Sequence, residues 1–481
     1  MQEYNLEVYM PGVTFNRRTN LLDENIYKYR LQDVEEGNYF RSMFEYTTVP
    51  KVAFNNRVVP MCMPEEIWVT DTTFRDGQQS RSPFTVKQIV DLYKLMSKLG
   101  GPKGLIRQSE FFPYTDADRA AIEQCMGLGL KFPEVTTWIR AAEQDFALIK
   151  AMGMKETGIL VSCSDYHIFR KMNLNRSQAL DKYLGIIKDA LSLGIRPRCH
   201  FEDVTRADFY GFVVPFANEL VALSKESGIP IKIRLCDTLG FGVTYPGVSL
   251  PRSVQGIVYG LTHLSGVPSE CLEWHGHNDF YKVVTNAATA WLYGCSAVNG
   301  TLLGLGERTG NCPIEAMLIE YAQLRGTSDG INFPVITEIA EYFEKEIGYP
   351  IPFNTPFVGN NFNATRAGIH ADGLLKDEEI YNIFDTARLL NRPATVTVDR
   401  FSGLAGIAYW INAYYRVPKE MVVDKHAPVV AKMKELIDQQ YDQGRNTAMG
   451  PRELRAMVKA LDPQLHDTLI SLHRKDKEIY W

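Results

Sequence analysis

Two hydrophobic periods alternate along the chain from residue 65 to residue 324. Short apolar runs of the kind that form buried strands are each followed by a longer segment whose apolar residues recur at helical spacing. The strands are predicted at Glu65–Asp71, Gly104–Glu110, Lys131–Thr137, Glu156–Cys163, Ile195–Glu202, Pro230–Cys236, Cys271–His275 and Ala297–Thr301. The helices are predicted at Thr85–Leu99, Asp116–Leu128, Arg140–Met152, Ser177–Leu193, Asp208–Ser227, Ser253–Leu264, Tyr281–Tyr293 and Ile314–Leu324.

This regular alternation predicts an α/β protein with a parallel sheet. Eight strand–helix units in about 260 residues have the size of a (β/α)8 TIM barrel, which is the fold we predict. An open, doubly wound sheet is the alternative. Its first strand should be followed by a Gly-x-Gly-x-x-Gly phosphate turn, and the sequence has none at that place.

Further segments flank the predicted barrel, which is assigned to residues 63–325. Residues 1–62 are predicted to form an N-terminal extension that packs on the barrel or on a second subunit, and they show no clean hydrophobic period. Residues 326–417 are predicted to form a linker and a first subdomain. Residues 418–481 are predicted to form a helical second subdomain, in which Gly450-Pro451 is a favourable helix start.

Polar residues collect where the predicted strands end. In a TIM barrel the C-terminal ends of all strands meet at one rim, where catalytic groups lie. The polar positions at or just after these ends are Asp71–Gln79, Glu110, Ser164–His167, Arg198, His200, Glu202, Asp237, Thr238, His275, His277 and Asn311. So many polar strand ends on one rim predict an active site there.

His275 and His277 suggest what kind of site this is. Side chains two apart along a strand point to the same face, so both imidazoles are expected on one side. They are followed one strand later by Gly306–Asn311, a glycine-flanked charged turn that carries an Asn. Together these residues predict part of a divalent-metal site.

Composition narrows the class of protein. A hydrophobic share of 45% and a charged share of 23% are ordinary for a globular protein. A net charge of −5 gives no excess of basic residues that would attract nucleic acid or an anionic membrane. The eight cysteines include no Cys-x-x-Cys pair and favour reduced thiols. No signal peptide or membrane span is predicted, so a cytoplasmic enzyme is expected.

The motifs resemble those of the DRE-TIM metallolyase superfamily over roughly residues 65–462. Asp71–Gln79 is similar to the family's D-T-T-L-R-D-G-E-Q, His275–Asp279 to H-x-H-N-D, and Gly306–Asn311 to G-E-R-x-G-N. Gly368–Gly373 matches the G-I-H-A-D-G of the subdomain that follows the barrel. This last motif favours the Claisen-condensing branch of isopropylmalate, citramalate, homocitrate and Re-citrate synthases. Biotin-dependent carboxyltransferases share the barrel but lack that motif.

The resemblance implies a set of roles. The metal ligands are expected to be Asp76, His275, His277 and Asn311, holding Mn²⁺, Co²⁺, Mg²⁺ or Zn²⁺. The catalytic residues are expected to be Arg75, Glu202, His370 and Tyr381. The substrate-binding residues are expected to be Gln79, Glu110, His167, Arg198, His200, Arg206 and Thr238. Acetyl-CoA is the expected co-substrate, and a homodimer in which His370 and Tyr381 complete the partner's site is expected.

The fifth strand bears on the second substrate, a 2-oxo acid. By parity Arg198, His200 and Glu202 share the inward face. An Arg at this position resembles the homocitrate synthases, where it clamps a distal carboxylate, and His200 in place of a smaller Ser shortens the pocket. Arg198 thus favours a dicarboxylic acceptor, and the shorter pocket favours oxaloacetate over 2-oxoglutarate.

Departures from the common pattern favour the Re-citrate synthase group of the branch. Phe74 and Gln78 replace the usual Leu and Glu, and Leu303 replaces a common Asn. No leucine-sensing domain of the kind that follows in isopropylmalate synthases is expected after the helical subdomain. Homocitrate synthase is the alternative, followed by isopropylmalate or citramalate synthase. A related lyase or carboxyltransferase, or an inactive paralogue that serves as a binding partner, is a further possibility.

Overall fold

The computed structural model of the protein describes residues 28–140, 145–366 and 368–471, together with the backbone of Val13–Asn16 and Leu21–Glu24. Most of the predicted extension before residue 28 therefore lies outside the described residues. So do residues 141–144 of the third predicted helix and residues 472–481 of the second subdomain. The chain divides into two compact units, Met1–Ile331 and Asn332–Trp481.

The first unit contains a closed barrel of eight parallel strands, in which the eighth strand pairs with the first. The strands are β1 (Trp68–Asp71), β2 (Ile106–Phe111), β3 (Glu134–Ile139), β4 (Glu156–Ser162), β5 (Arg196–Glu202), β6 (Lys232–Asp237), β7 (Leu272–Gly276) and β8 (Ala297–Gly300). The predicted (β/α)8 barrel is confirmed. The open doubly wound sheet is wrong, because a closed sheet has no edge strands.

One α-helix follows each strand. The helices are α1 (Val86–Gly100), α2 (Asp116–Gly127), α3 (Asp145–Ala151), α4 (Arg176–Ser192), α5 (Val214–Ser227), α6 (Val254–Leu264), α7 (Val283–Tyr293) and α8 (Ile314–Arg325). Thr85, Thr115 and Asn175 begin α1, α2 and α4 with capping boxes, which explains why these predicted starts are accurate. In the described parts of the chain, no helix is both long enough and apolar enough to cross a bilayer.

The barrel interior is unusual because much of it is charged. TIM barrels are normally filled by branched aliphatic side chains. Here the inward positions carry basic and acidic side chains that are buried or nearly so, and alternate residues such as Cys199 and Phe201 face the helices. The charged or amide side chains of the interior include Gln108, Glu110, Glu156, Arg198, Lys232, Arg234 and Glu273.

The described part of the N-terminal extension packs on the barrel. The buried Arg176 of α4 donates from Nη1 to the carbonyl of Gln32 at 2.9 Å, and the Asn38 N–H donates to Asp165 Oδ2 at 2.6 Å. Further along, Arg252 Nη1 donates to the Lys51 carbonyl at 2.6 Å. These bonds place residues 32–51 along the rim formed by the strands' C-terminal ends.

The second unit has its own core. Two short strands, Ala364–Thr365 and Thr395–Val396, pair in parallel. The helices lie at Pro334–Lys345, Gly368–Lys376, Thr386–Leu390, Leu404–Tyr414, Pro428–Asp442, Pro451–Leu461 and Pro463–Ser471. One buried cluster joins Ile407 and Ile411 to Val430 and Met433, so side chains from both predicted subdomains share it.

Candidate active site

Three buried side chains converge at the C-terminal mouth of the barrel. Asp76 lies in the turn after β1, and His275 and His277 lie at the end of β7. Nε2 of His275 is 3.3 Å from Nε2 of His277, and each nitrogen is 3.8 Å from Oδ2 of Asp76. One ligand atom from each residue lies within 4.8 Å of the others, a spacing that suits a single metal ion.

Asn311, the fourth predicted ligand, is held beside this cluster. A backbone bridge joins it to His277, and its Nδ2 donates to the Leu305 carbonyl at 2.8 Å. Its Oδ1 and the Oδ2 of Asp76 are buried, and neither has a hydrogen-bond partner among the described residues. Buried acceptors without donors are costly, and a bound cation would satisfy both. The donor set of this structure therefore fits a divalent metal.

Glycine is required in the loop that carries Asn311. A β-carbon on Gly306 would lie 2.2 Å from Asn311 Nδ2, so any side chain there would displace the amide. Gly310 has a φ of +87°, which other residues rarely adopt. The two glycines of the G-E-R-x-G-N motif are thus needed because the backbone of the loop folds closely around Asn311.

A chain of hydrogen bonds that the sequence did not reveal orients His275. Its Nδ1 lies 2.8 Å from Oδ1 of Asn299 on β8, so Nδ1 carries the proton and Nε2 is left as a ligand atom. Nδ2 of Asn299 donates to Thr70 Oγ1 at 2.9 Å, and the Thr70 hydroxyl donates to Glu273. Asn299 was not predicted because an Asn inside a strand shows no signal until its partner strand is known.

The protonation states of the cluster suit a metal site. Burial lowers the pKa of His275 to about 3 and also lowers the pKa of His277. Burial alone would raise the pKa of Asp76, but Arg75 and the two histidines outweigh it and hold that pKa well below its usual range. At neutral pH the cluster therefore consists of two neutral imidazoles and a carboxylate, the forms that bind metals.

Arg75 is held beside the cluster by Glu110. Arg75 donates from Nη1 to Asp76 Oδ1 at 2.9 Å and from Nε to Glu110 Oε2 at 2.8 Å. Glu110 also accepts from Arg198 Nη2 at 2.5 Å and from Arg234 Nη1 at 2.9 Å. Burial would raise the pKa of Glu110, but the three guanidiniums keep it well below the usual value. Glu110 is thus an ionised anchor for Arg75, and its predicted contact with substrate does not fit the structure.

Arg198 faces inward, as strand parity predicted, but it lies deep in the barrel and is only 1% exposed. Its Nη1 donates to Gln108 at 3.2 Å and to Glu156 at 3.0 Å. Its Nη2 donates to Glu110 at 2.5 Å and to Thr136 at 3.2 Å. The N–H groups of both terminal nitrogens therefore already have protein acceptors. The predicted clamp on a substrate carboxylate does not fit this arrangement.

Glu202 and His167 form a pair at the mouth. His167 Nδ1 is 3.0 Å from Glu202 Oε2, and the Ser162 hydroxyl donates to the same carboxylate. Burial would raise the pKa of Glu202, but the bonds from His167 and Ser162 lower it to about 2. Lys171 lies 3.5 Å away and adds to this effect. A carboxylate of such low pKa is a weak base by itself, so its chemistry depends on the imidazole that it holds.

Three other predicted substrate contacts lie in different surroundings. The Thr238 hydroxyl, just after β6, accepts the Asp203 N–H at 2.9 Å. Arg206 pairs with the same aspartate, at 2.8 Å from Nη2 to Oδ2. Gln79 is exposed and takes no part in the buried cluster, while its neighbour Gln78 donates to a backbone carbonyl at 2.6 Å and stabilises the turn.

His200 and Trp138 fill the interior between β3 and β5. His200 is buried, and its ring centroid lies 6.5 Å from that of Trp138. A β-carbon on Gly158 of β4 would come within 2.7 Å of His200 Nε2 and 2.8 Å of Trp138 Cδ1, so only glycine leaves room for both rings. The guanidinium of Arg75 lies 5.6 Å from the Trp138 ring. Trp138 was missed because a single Trp in a strand normally indicates core.

His370 and Tyr381 are neighbours in the second unit. Their ring centroids are 4.6 Å apart, His370 is exposed and Tyr381 is 48% exposed. A β-carbon on Gly373 would lie 2.4 Å from the Tyr381 ring, so the final glycine of Gly368–Gly373 is needed for this packing. The two residues thus form one exposed pair.

Comparisons with known proteins agree with this geometry. A family model described as HMGL-like matches residues 66–342. A citrate (Re)-synthase of Clostridium kluyveri is 56% identical over 91% of this chain and 97% of its own length. A citrate (Re)-synthase of Syntrophus aciditrophicus is also 56% identical, over 91% of this chain and 70% of its own length. A 2-phosphinomethylmalate synthase of Streptomyces hygroscopicus is 37% identical over 89% of this chain and 97% of its own length.

Proposed function

The chain belongs to the HMGL-like family, and we propose that it condenses acetyl-CoA with oxaloacetate and water to give citrate and CoA. The observation that carries this proposal is the 56% identity to two citrate (Re)-synthases over 91% of the chain. The buried cluster of Asp76, His275 and His277 beside Arg75 supports a metal-dependent Claisen condensation. The chain is accordingly an acyltransferase of the kind that makes an alkyl group on transfer.

A divalent cation held by Asp76, His275, His277 and Asn311 would act as a Lewis acid on the carbonyl of the 2-oxo acid. Mn²⁺, Co²⁺, Mg²⁺ and Zn²⁺ all suit this mixed nitrogen and oxygen set. Arg75, fixed by Asp76 and Glu110, presents its positive charge where the carbonyl oxygen becomes an alkoxide. The hydrogen bonds of Arg75 to Asp76 and Glu110 hold the guanidinium in place before the reaction begins.

Glu202 and His167 act as a pair in removing a proton from the acetyl methyl group. The carboxylate, fixed by Ser162, holds His167 Nδ1 and stabilises the imidazolium that forms when the ring accepts a proton. Thr238 and Arg206 complete the same side of the rim through Asp203 and contribute to substrate binding. His167 follows β4 and Glu202 is the last residue of β5, so the pair lies across the mouth from β8.

The charged side chains of the barrel interior pair with one another, so we propose a dicarboxylic acceptor without a clamp by Arg198. Ion pairs in the barrel interior and at its edge connect five carboxylates with five basic side chains. They are Asp76, Glu110, Glu134, Glu156 and Glu273, with Arg75, Arg196, Arg198, Lys232 and Arg234. The support for a dicarboxylic acceptor is the 56% identity to two citrate (Re)-synthases. The large rings of His200 and Trp138 favour the shorter of the two dicarboxylic acceptors.

A homodimer in which His370 and Tyr381 reach the partner's site is also part of the proposal. The support is their exposure as a contacting pair, with Ile369, Ile380 and Ile383 exposed nearby in sequence. Exposed apolar side chains in such number suit an interface between subunits. All eight cysteines are free, which suits the cytoplasmic location that we propose.

CoA release with different 2-oxo acids tests the proposed function. Oxaloacetate, 2-oxoglutarate, 2-oxoisovalerate and pyruvate are each supplied with acetyl-CoA, and free thiol is measured. Oxaloacetate alone should turn over, and a chelator should abolish activity that Mn²⁺ or Co²⁺ restores. Turnover of 2-oxoglutarate without oxaloacetate would identify a homocitrate synthase. Activity that survives complete metal removal would contradict the mechanism.

A further inference from the structure

A cluster of cationic and aromatic side chains lies at the barrel mouth, partly supplied by the N-terminal extension. Tyr166 begins the π-helical turn Tyr166–Lys171 after β4. The guanidiniums of Arg206, Arg41 and Arg170 lie 4.1, 5.6 and 5.7 Å from the centroid of its ring. Arg170 also lies 4.1 Å from the ring of Tyr39. We name this group, Tyr39, Arg41, Tyr166, Arg170 and Arg206, the rim cluster.

The extension is fixed in this position. The Tyr166 hydroxyl donates to the Tyr39 carbonyl at 2.9 Å, and the two rings pack edge to face at 4.9 Å. The Asn38 N–H donates to Asp165 Oδ2, a carboxylate that also accepts from the fully buried Arg176. Arg41 is thus placed beside the barrel rim by an anchored backbone.

The rim cluster carries more positive charge than the protein around it neutralises. Arg206 pairs with Asp203, but among the described residues neither Arg41 nor Arg170 forms an ion pair, and both are exposed. The guanidiniums gathered around the two rings repel each other. This local positive charge stands out in a chain whose net charge is −5. Such an arrangement is stabilised when an anionic ligand binds.

We infer that the rim cluster binds the phosphorylated adenosine end of acetyl-CoA. Guanidiniums bind phosphates through two N–H groups, and the adenosine end of acetyl-CoA is the end that carries the phosphates. The rim cluster and the His167–Glu202 pair both lie at the C-terminal ends of β4 and β5, so the nucleotide and the reacting acetyl group would bind at one rim. This assignment rests on the proposed function, and it provides a role for the extension that its sequence did not reveal.

Calorimetric titration of CoA into the full-length protein with Mn²⁺ tests the inference. Arg41→Ala and Arg170→Ala should each raise the Kd for CoA about tenfold, or ~1.4 kcal/mol. Arg41→Lys should raise the Kd less than Arg41→Ala does, because lysine keeps the charge but not the second N–H group. Lys131→Ala serves as the matched control, since Lys131 is an exposed cation 5.2 Å from the Phe132 ring before β3, at the opposite end of the barrel. Its Kd should match that of the unchanged protein.

A truncated substrate distinguishes the nucleotide from the rest of acetyl-CoA. S-acetyl-pantetheine has no nucleotide, so its KM and the KM for oxaloacetate should be the same in both arginine variants as in the unchanged protein. Unchanged CoA affinity in both variants would overturn the rim cluster assignment alone. An equal rise in the KM for S-acetyl-pantetheine would overturn it as well. A protein that binds no CoA before any substitution would contradict the proposed function too.

Discussion

Replacing Glu110 by Gln tests whether charge pairing stabilises the barrel interior. Glu110 is 1% exposed and accepts hydrogen bonds from Arg75 at 2.8 Å, Arg198 at 2.5 Å and Arg234 at 2.9 Å. A Gln of similar shape keeps one acceptor oxygen but removes the charge that all three guanidiniums share. Buried positive charge is then left without its partner.

The size of the effect follows from this burial. Removing one member of a buried ion pair costs about 3–5 kcal/mol, because the remaining charge is desolvated and unpaired. Glu66→Gln is the matched control, since Glu66 pairs with Arg107 at a similar 2.9 Å but is 70% exposed. An exposed pair contributes only about 0–1 kcal/mol. The two substitutions therefore compare similar pairs that differ in burial.

Urea unfolding followed by circular dichroism measures both changes at pH 7. Glu110→Gln should lower the free energy of unfolding by about 3–5 kcal/mol and Glu66→Gln by at most about 1 kcal/mol. Adding Arg198→Met to Glu110→Gln should recover part of the loss, since one unpaired charge is then removed. A loss below about 1 kcal/mol in Glu110→Gln would refute the reasoning, because the interior charges would then not depend on each other.

Three further predictions concern the metal, the dimer and pH. Asn299→Ala should weaken Mn²⁺ binding about 10–100-fold in a competition titration, because His275 loses the bond that fixes its tautomer; unchanged affinity would contradict this. Mixing inactive Glu202→Gln and His370→Ala proteins should restore up to about a quarter of full activity if subunits exchange at random; no recovery after verified exchange would contradict sites shared between subunits. Burial raises the pKa of Glu315 to about 7, so the folded state binds the extra proton and stability from this group falls as pH rises from 4.5 to 7. The free energy of unfolding in urea should therefore rise in Glu315→Gln, relative to the unchanged protein, by ~1–3 kcal/mol between pH 5 and pH 8. An equal difference between the two proteins at both pH values would contradict the sign.

Much of the fold could be predicted because its signals are local. The strand and helix periods of residues 65–324 and the capping boxes at Thr85, Thr115 and Asn175 mark elements without knowledge of their partners. The third strand begins at Glu134 rather than Lys131, because the intervening Pro133 has no N–H for the sheet. Residues 209–213 form a π-turn before α5, which hydrophobic spacing does not distinguish from an α-helix.

The candidate metal site was predictable for a related reason. Asp76, His275, His277 and Asn311 lie at or after the C-terminal ends of strands, and a closed barrel brings all such ends to one rim. Their motifs then indicated which rim residues belong together. Asn299, Glu273 and Trp138 carried no such motif, and the structure alone places them against the site.

The sequence by itself determined the order of the strands, the closed barrel and the side of it that carries the chemistry, because hydrophobic period and polar strand ends are properties of single segments. Only the tertiary structure decided what Arg198 does. Its inward direction follows from parity, but its partners Glu110 and Glu156 come from β2 and β4, and barrel register sets which inward side chains share a layer. Arg198 was predicted to clamp a substrate carboxylate, and the structure instead places it among the charged side chains of the barrel interior.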